Sequence, residues 1–155
     1  MLLRQASSSK GAPAISPDNR WLAYSSSESG RFEIYVTALS AGGLATGRKW
    51  PVSNGGGLSP IWSRNTGELF FQSLDHFAEV VSYSVKDDSF VVGNPRVWCK
   101  TRLGGTGILQ AFDVAPDGKR LLALIDAENT EVEAALHVLL NVDDELRRRA
   151  PANRK

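Results

Sequence analysis

Ile15-Ser16-Pro17-Asp18-Asn19-Arg20-Trp21-Leu22-Ala23-Tyr24 reads as two apolar strands joined by a tight polar turn, and the pattern occurs three times. The second copy is Trp62-Ser63-Arg64-Asn65-Thr66-Gly67-Glu68-Leu69-Phe70-Phe71. The third is Val114-Ala115-Pro116-Asp117-Gly118-Lys119-Arg120-Leu121-Leu122-Ala123. Aligning Ser16, Ser63 and Ala115 spaces the copies 47 and 52 residues apart. The turn chemistry is physical. Proline presets φ at the first turn position, and Asp or Asn closes an Asx turn through its side chain. Asn19 and Gly118 tolerate the left-handed backbone of a tight hairpin. The second copy departs from this pattern: Arg64 stands where the others have proline, and Gly67 comes one residue late, which predicts a different turn.

Each copy is followed by further strand signals. Phe32–Val36, Val80–Val85 and Leu136–Leu140 alternate or run apolar, and Lys49–Val52 and Pro95–Cys99 suit short outer strands. Glycine-rich loops at 54–57 and 104–107 separate the units. A repeat of about 40–50 residues with several strands per unit is the signature of propeller blades. The expected fold is therefore all-β, a partial β-propeller of about three four-stranded blades. Its units span about 12–53, 58–99 and 110–141 within a half propeller over 1–146. Residues 1–5 are a candidate outer strand for a neighbouring blade. A short helix is expected near 142–147, acidic at its start and basic at its end, with a basic tail over 147–155.

Together these stretches resemble the TolB-type, WD40-like propellers of bacteria, in particular the C-terminal half of propellers fused to bacterial serine/threonine kinases and transcriptional regulators. The resemblance rests on the segments 16–26, 28–36, 50–53, 60–63, 68–71, 112–120, 139–141 and 144–147, and covers nearly the whole chain. It implies a six-bladed fold and a role in protein interaction or scaffolding. It implies no catalysis and no cofactor, and it carries no catalytic residue across. The chain departs from that family in length, since such propellers are about twice as long and three blades cannot close a ring alone. Homodimerisation, two threes making six, is the expected closure. Leu2, Leu3, Leu136, Val138 and Leu140 are the candidate dimer interface, and another propeller-containing protein is the other expected partner.

Bulk composition fits this reading. The 155 residues are 42% apolar and 23% charged, with a formal net charge of +1, so no global field points to nucleic acid or membrane. Arg147, Arg148, Arg149, Arg154 and Lys155 concentrate positive charge at the end, leaving 13 basic and 17 acidic side chains before them. A solvated tail is the simpler reading, and contact with an acidic partner the sharper one. One cysteine, Cys99, forbids an intrachain disulfide and fits a reducing compartment. With no apolar run of bilayer length and no signal-peptide pattern at 1–5, a soluble cytoplasmic protein is expected.

Chemistry-bearing motifs are sparse. His76 reads as a loop residue and His137 as a strand residue, and neither pairs with Cys99 at metal-ligand spacing. No Gly-x-Ser-x-Gly elbow and no phosphate-cradling Gly-Lys-Ser/Thr occurs. Asp87-Asp88 and Asp143-Asp144 lack the ligand series of a calcium loop. Trp21, Trp50, Trp62 and Trp98 recur in strands and are expected to pack between blades. Recognition loops on a rigid scaffold are the default site, so Ser59, Pro60, Gln110, Phe112 and Asp113, near the mouth of the central channel, are the candidate partner-binding residues.

Overall fold

In a computed structural model, residues 8–43, 45–86, 89–105, 109–126 and 137–140 are described. They form twelve strands, all paired antiparallel, and contain no helix. The first sheet is a meander of β1 (Lys10–Ile15), β2 (Trp21–Ser26), β3 (Glu33–Leu39) and β4 (Ala45–Pro51). The second runs β5 (Leu58–Trp62), β6 (Glu68–Gln72) and β7 (Phe77–Lys86). The first half of β7 pairs with β9 (Arg96–Arg102), while its far half pairs with β8 (Ser89–Val92). The third sheet comprises β10 (Phe112–Val114), β11 (Arg120–Ala123) and β12 (His137–Leu140). None of the three sheets closes on itself. The predicted helix at 142–147, the basic tail and residues 1–5 lie outside the described residues.

The hairpin turns form as their side chains dictate. Ser16 donates to Asp18 Oδ1 (2.5 Å) and accepts the Trp21 N–H (3.0 Å), while Asp18 Oδ1 also accepts the Arg20 N–H (3.1 Å). Asp117 repeats the device, accepting the Lys119 N–H at 3.0 Å. That backbone hydrogen bond, followed by the nearby Arg120 and Lys119 charges, holds its carboxyl below the ordinary aspartate value. Asn19 (φ 58°) and Gly118 (φ 68°) take the left-handed conformation. The second turn differs. The Thr66 hydroxyl sits between Ser63 Oγ (2.6 Å) and Glu68 Oε2 (2.8 Å), and Gly67 takes the positive φ. Asn65 does not cap its own turn. Its amide instead donates to the Pro116 carbonyl at 2.8 Å, tying the second turn to the third.

The sheets stack through alternate residues of each strand. Trp21, Ala23, Ile34 and Val36 of the first sheet share a core with Trp62, Leu69, Phe71, Val81 and Phe90 of the second. The opposite face of the second sheet, with Phe70, Ala78 and Val80, shares a core with Phe112, Leu121 and Ala123 of the third. All four tryptophans lie in or against these two cores. Trp62 also donates its indole N–H to the Ala14 carbonyl across the first seam, at 2.9 Å. Each large side chain so buried contributes about 1.5–3 kcal/mol.

A buried carboxylate fixes the crossing from first sheet to second. Glu33 is 5% exposed. It accepts from Arg31 Nε (2.7 Å), the Gly56 N–H (2.9 Å) and the Ser53 hydroxyl, and Ser53 Oγ in turn accepts the Ile34 N–H (2.8 Å). Arg31 completes the clamp on the Asn54 carbonyl at 2.6 Å. Gly57 lies so close that an added Cβ would fall 2.6 Å from the Ile34 side chain. Glu33→Ala would leave a buried hydroxyl and amide without their acceptor, at a cost of about 2–4 kcal/mol. Urea unfolding of Glu33→Ala is expected to show a loss of this size, and Glu33→Gln a smaller one.

Candidate functional site

The first strand of each sheet borders one open cleft of about 810 Å³, lined from β1, β5, β10 and β11 and from the three hairpin turns. Of the residues expected at a channel mouth, Pro60, Gln110 and Asp113 line it. Ser59 and Phe112 do not: each is 3% exposed, and Phe112 belongs to the core between the second and third sheets. For Phe112 the reason is the strand period: it and Asp113 lie inside β10 and point to opposite sides. Ser59 takes a left-handed φ of 51°, and Ala12, its counterpart in β1, one of 46°. The pairing register shifts at both places, a β-bulge on each inner edge.

Sequence reasoning missed the cleft's cations. Arg64 and Arg120 line it alongside Ile15 and Leu122. Arg120 Nε is paired with Asp117 Oδ2 at 3.1 Å. Asp113 Oδ1 accepts the neighbouring Val114 N–H at 2.8 Å. Arg64 is exposed and has no hydrogen-bond or ion-pair partner among the described residues. Its signal was present in the sequence, as the arginine in place of a repeated proline.

The outward faces of the end sheets form a second feature. On the first sheet, Leu22, Tyr24 and Tyr35 are buried, with Leu39 packed against them, and none of this cluster comes from the other two sheets. Ser26 Oγ and Glu28 Oε2, in the same hairpin, are buried without a hydrogen-bond partner among the described residues. On the third sheet, Leu122 is 40% exposed, and Leu124, just past the end of β11, 48%. The register sets Val138 opposite Leu122 and Leu140 opposite Arg120. Leu2, Leu3 and Leu136 lie outside the described residues.

The remaining chemical candidates are scattered. His76 sits in the turn before β7 with φ 65°, its Nδ1 3.2 Å from Gln72 Nε2. Cys99 is buried and free, and accepts the Thr101 N–H at 3.4 Å. Among the described residues no three His, Cys, Asp or Glu side chains gather to hold a metal, and no helix is long and apolar enough to cross a membrane. No protein-family model and no curated protein sequence matches the chain.

Burial, with Glu28 and then Tyr35 adding, pushes the Tyr24 phenol up to about 12, and burial followed by the Asp18 carboxylate raises Tyr83. Both phenols are therefore held neutral in the fold. The stability that depends on the neutral Tyr24 phenol is complete below pH 10, the ordinary tyrosine value, and falls between pH 10 and about 12 as the unfolded chain ionises first. A near-ultraviolet absorbance titration is expected to show a late phenolate step that Tyr24→Phe removes.

Proposed function

We propose that the chain is a non-catalytic protein-interaction module, a half propeller of the TolB or WD40-like kind, completed head to tail by a second copy of itself. The observation that carries this reading is the uncovered end of the series at the third sheet. Leu22, Leu69 and Leu121 are equivalent positions of the repeat, as are Ala23, Phe70 and Leu122. Ala23 packs in one core with Leu69, and Phe70 in the next with Leu121. Leu122 is the next residue in that series and stands 40% exposed. Leu22 is the residue such a position would meet in a further sheet. Leu22 is 3% exposed within the single chain, so the uncovered end is the one that carries Leu122, and a second copy set against it would give six sheets from two chains. Third-sheet strand β12 has one pairing partner among the described residues, β11, and the segment 1–5 of the partner is the candidate for its other edge. Another propeller-containing protein with the same face chemistry is the alternative occupant. The buried, unpaired Cys99 supports work in a reducing compartment such as the cytoplasm.

A second reading, a ligand-binding or enzyme-accessory propeller with its site in the central channel, is favoured by the cleft along β1, β5 and β10. Sedimentation velocity discriminates between the occupants of the end faces. The wild-type chain is expected to run as a dimer at micromolar concentration, and Leu122→Asp as a monomer, because a charge in that seam would be buried unpaired. A wild-type chain that stays monomeric would contradict the assembly.

A further inference from the structure

We infer that the inner cleft takes an extended peptide segment bearing a carboxylate between apolar side chains, with Arg64 as the anchor for that carboxylate. The inference goes beyond the assembly reading, because three sheets of a single chain form the cleft. Three repeat-equivalent residues, Pro17, Arg64 and Pro116, line it. At two of them proline serves the turn. At the third the turn is held by Thr66, between Ser63 and Glu68, and by Gly67, so it makes no use of the Arg64 guanidinium. A long cationic side chain is thus set into a recognition surface by a position whose local structure does not need it.

The surroundings choose the ligand class. The same cleft is lined by Ile15, 57% exposed, and by Pro60 and Ile61, an aliphatic floor. The second cation, Arg120, is already engaged by Asp117, and Asp113 by a backbone amide. Asp113 keeps its negative charge on that amide, and the cation of the lining without a partner among the described residues is Arg64, a planar fork suited to one carboxylate. A nucleic acid fits less well. It needs a row of cations and exposed stacking rings, whereas Trp62, the aromatic residue of the lining, is buried with its indole N–H given to Ala14. Strand addition is disfavoured as well, since bulges at Ala12 and Ser59 break the inner edges of β1 and β5. Recognition then rests on side chains, with the carboxylate on Arg64 and its apolar neighbours on the floor.

Fluorescence polarisation tests this with a labelled Ile-Glu-Leu-Glu-Ile peptide, its Gln-for-Glu counterpart and a labelled single-stranded oligonucleotide. The Glu peptide is expected to bind at least about tenfold more tightly than the Gln peptide, and Arg64→Ala to lose about that factor. Arg64→Lys is expected to retain part of the affinity, with an unchanged melting curve for both variants. Equal binding of the two peptides, saturable binding of neither, tighter binding of the oligonucleotide, or full affinity in Arg64→Ala would each overturn the inference. Sedimentation of the same samples separates the two proposals. A monomer that binds the Glu peptide keeps this site and removes the assembly, and a dimer that ignores the peptide does the reverse.

Discussion

A sheet that is apolar on both faces has to be covered twice, and this requirement shapes the whole molecule. In β6, Leu69 and Phe71 turn one way and Phe70 the other, and all three are fully buried. No four-stranded meander can satisfy such a strand alone. The second sheet is satisfied because the first and third flank it. Those flanking sheets are built on the same plan, and the outward face of the third leaves Leu122 partly exposed while the outward cluster of the first is buried. Repeat architectures generally pass this burden from unit to unit until a ring closes or a polar cap ends it. Here Leu122 and Leu124 stay partly exposed on one end, and the Leu22, Tyr24 and Tyr35 cluster occupies the other.

Polar groups complete what apolar burial leaves loosely specified. Hydrophobic packing alone would let neighbouring sheets slide. The indole N–H of Trp62 on Ala14, the Asn65 amide on Pro116 and the Glu33 clamp on residues 53–56 each fix one seam or crossing at a definite register. A buried acceptor without its donor costs more than a good hydrogen bond contributes, so the Trp62 and Glu33 contacts select one stacking geometry, and the exposed Asn65 bond adds to it. The turns add a second level, with Asp18 and Asp117 holding their hairpins through backbone amides.

Much of the fold was legible in the sequence, because hairpin turns have strong local chemistry. The strands flanking the three copies fall at 10–15 and 21–26, 58–62 and 68–72, and 112–114 and 120–123. The Asx turns at Asp18 and Asp117 were readable from residue type, but Asn65 was not. Its side chain is drawn away by a carbonyl 51 residues distant, which no local pattern announces. Strand β8 and the full length of β7 were missed, since the sequence Asp87-Asp88 reads as a solvated acidic loop. The site was only half readable. Position along the chain found Pro60, Gln110 and Asp113, but the strand period turns Phe112 into the core, and Ser59 is buried at a bulge of β5. Arg64 had a sequence signal that motif reading treats as a defect of the repeat.

The central claim is that the outward face of the third sheet meets the outward face of the first in another copy. A disulfide reports such a meeting directly, because it forms only when the two Cβ atoms come within about 4.5 Å. In a Cys99→Ala background, Leu22→Cys and Leu122→Cys chains would be prepared separately, mixed and oxidised mildly. The account predicts a 22–122 cross-linked dimer that appears only on mixing. Cross-links within each unmixed variant, or none in the mixture, would contradict it.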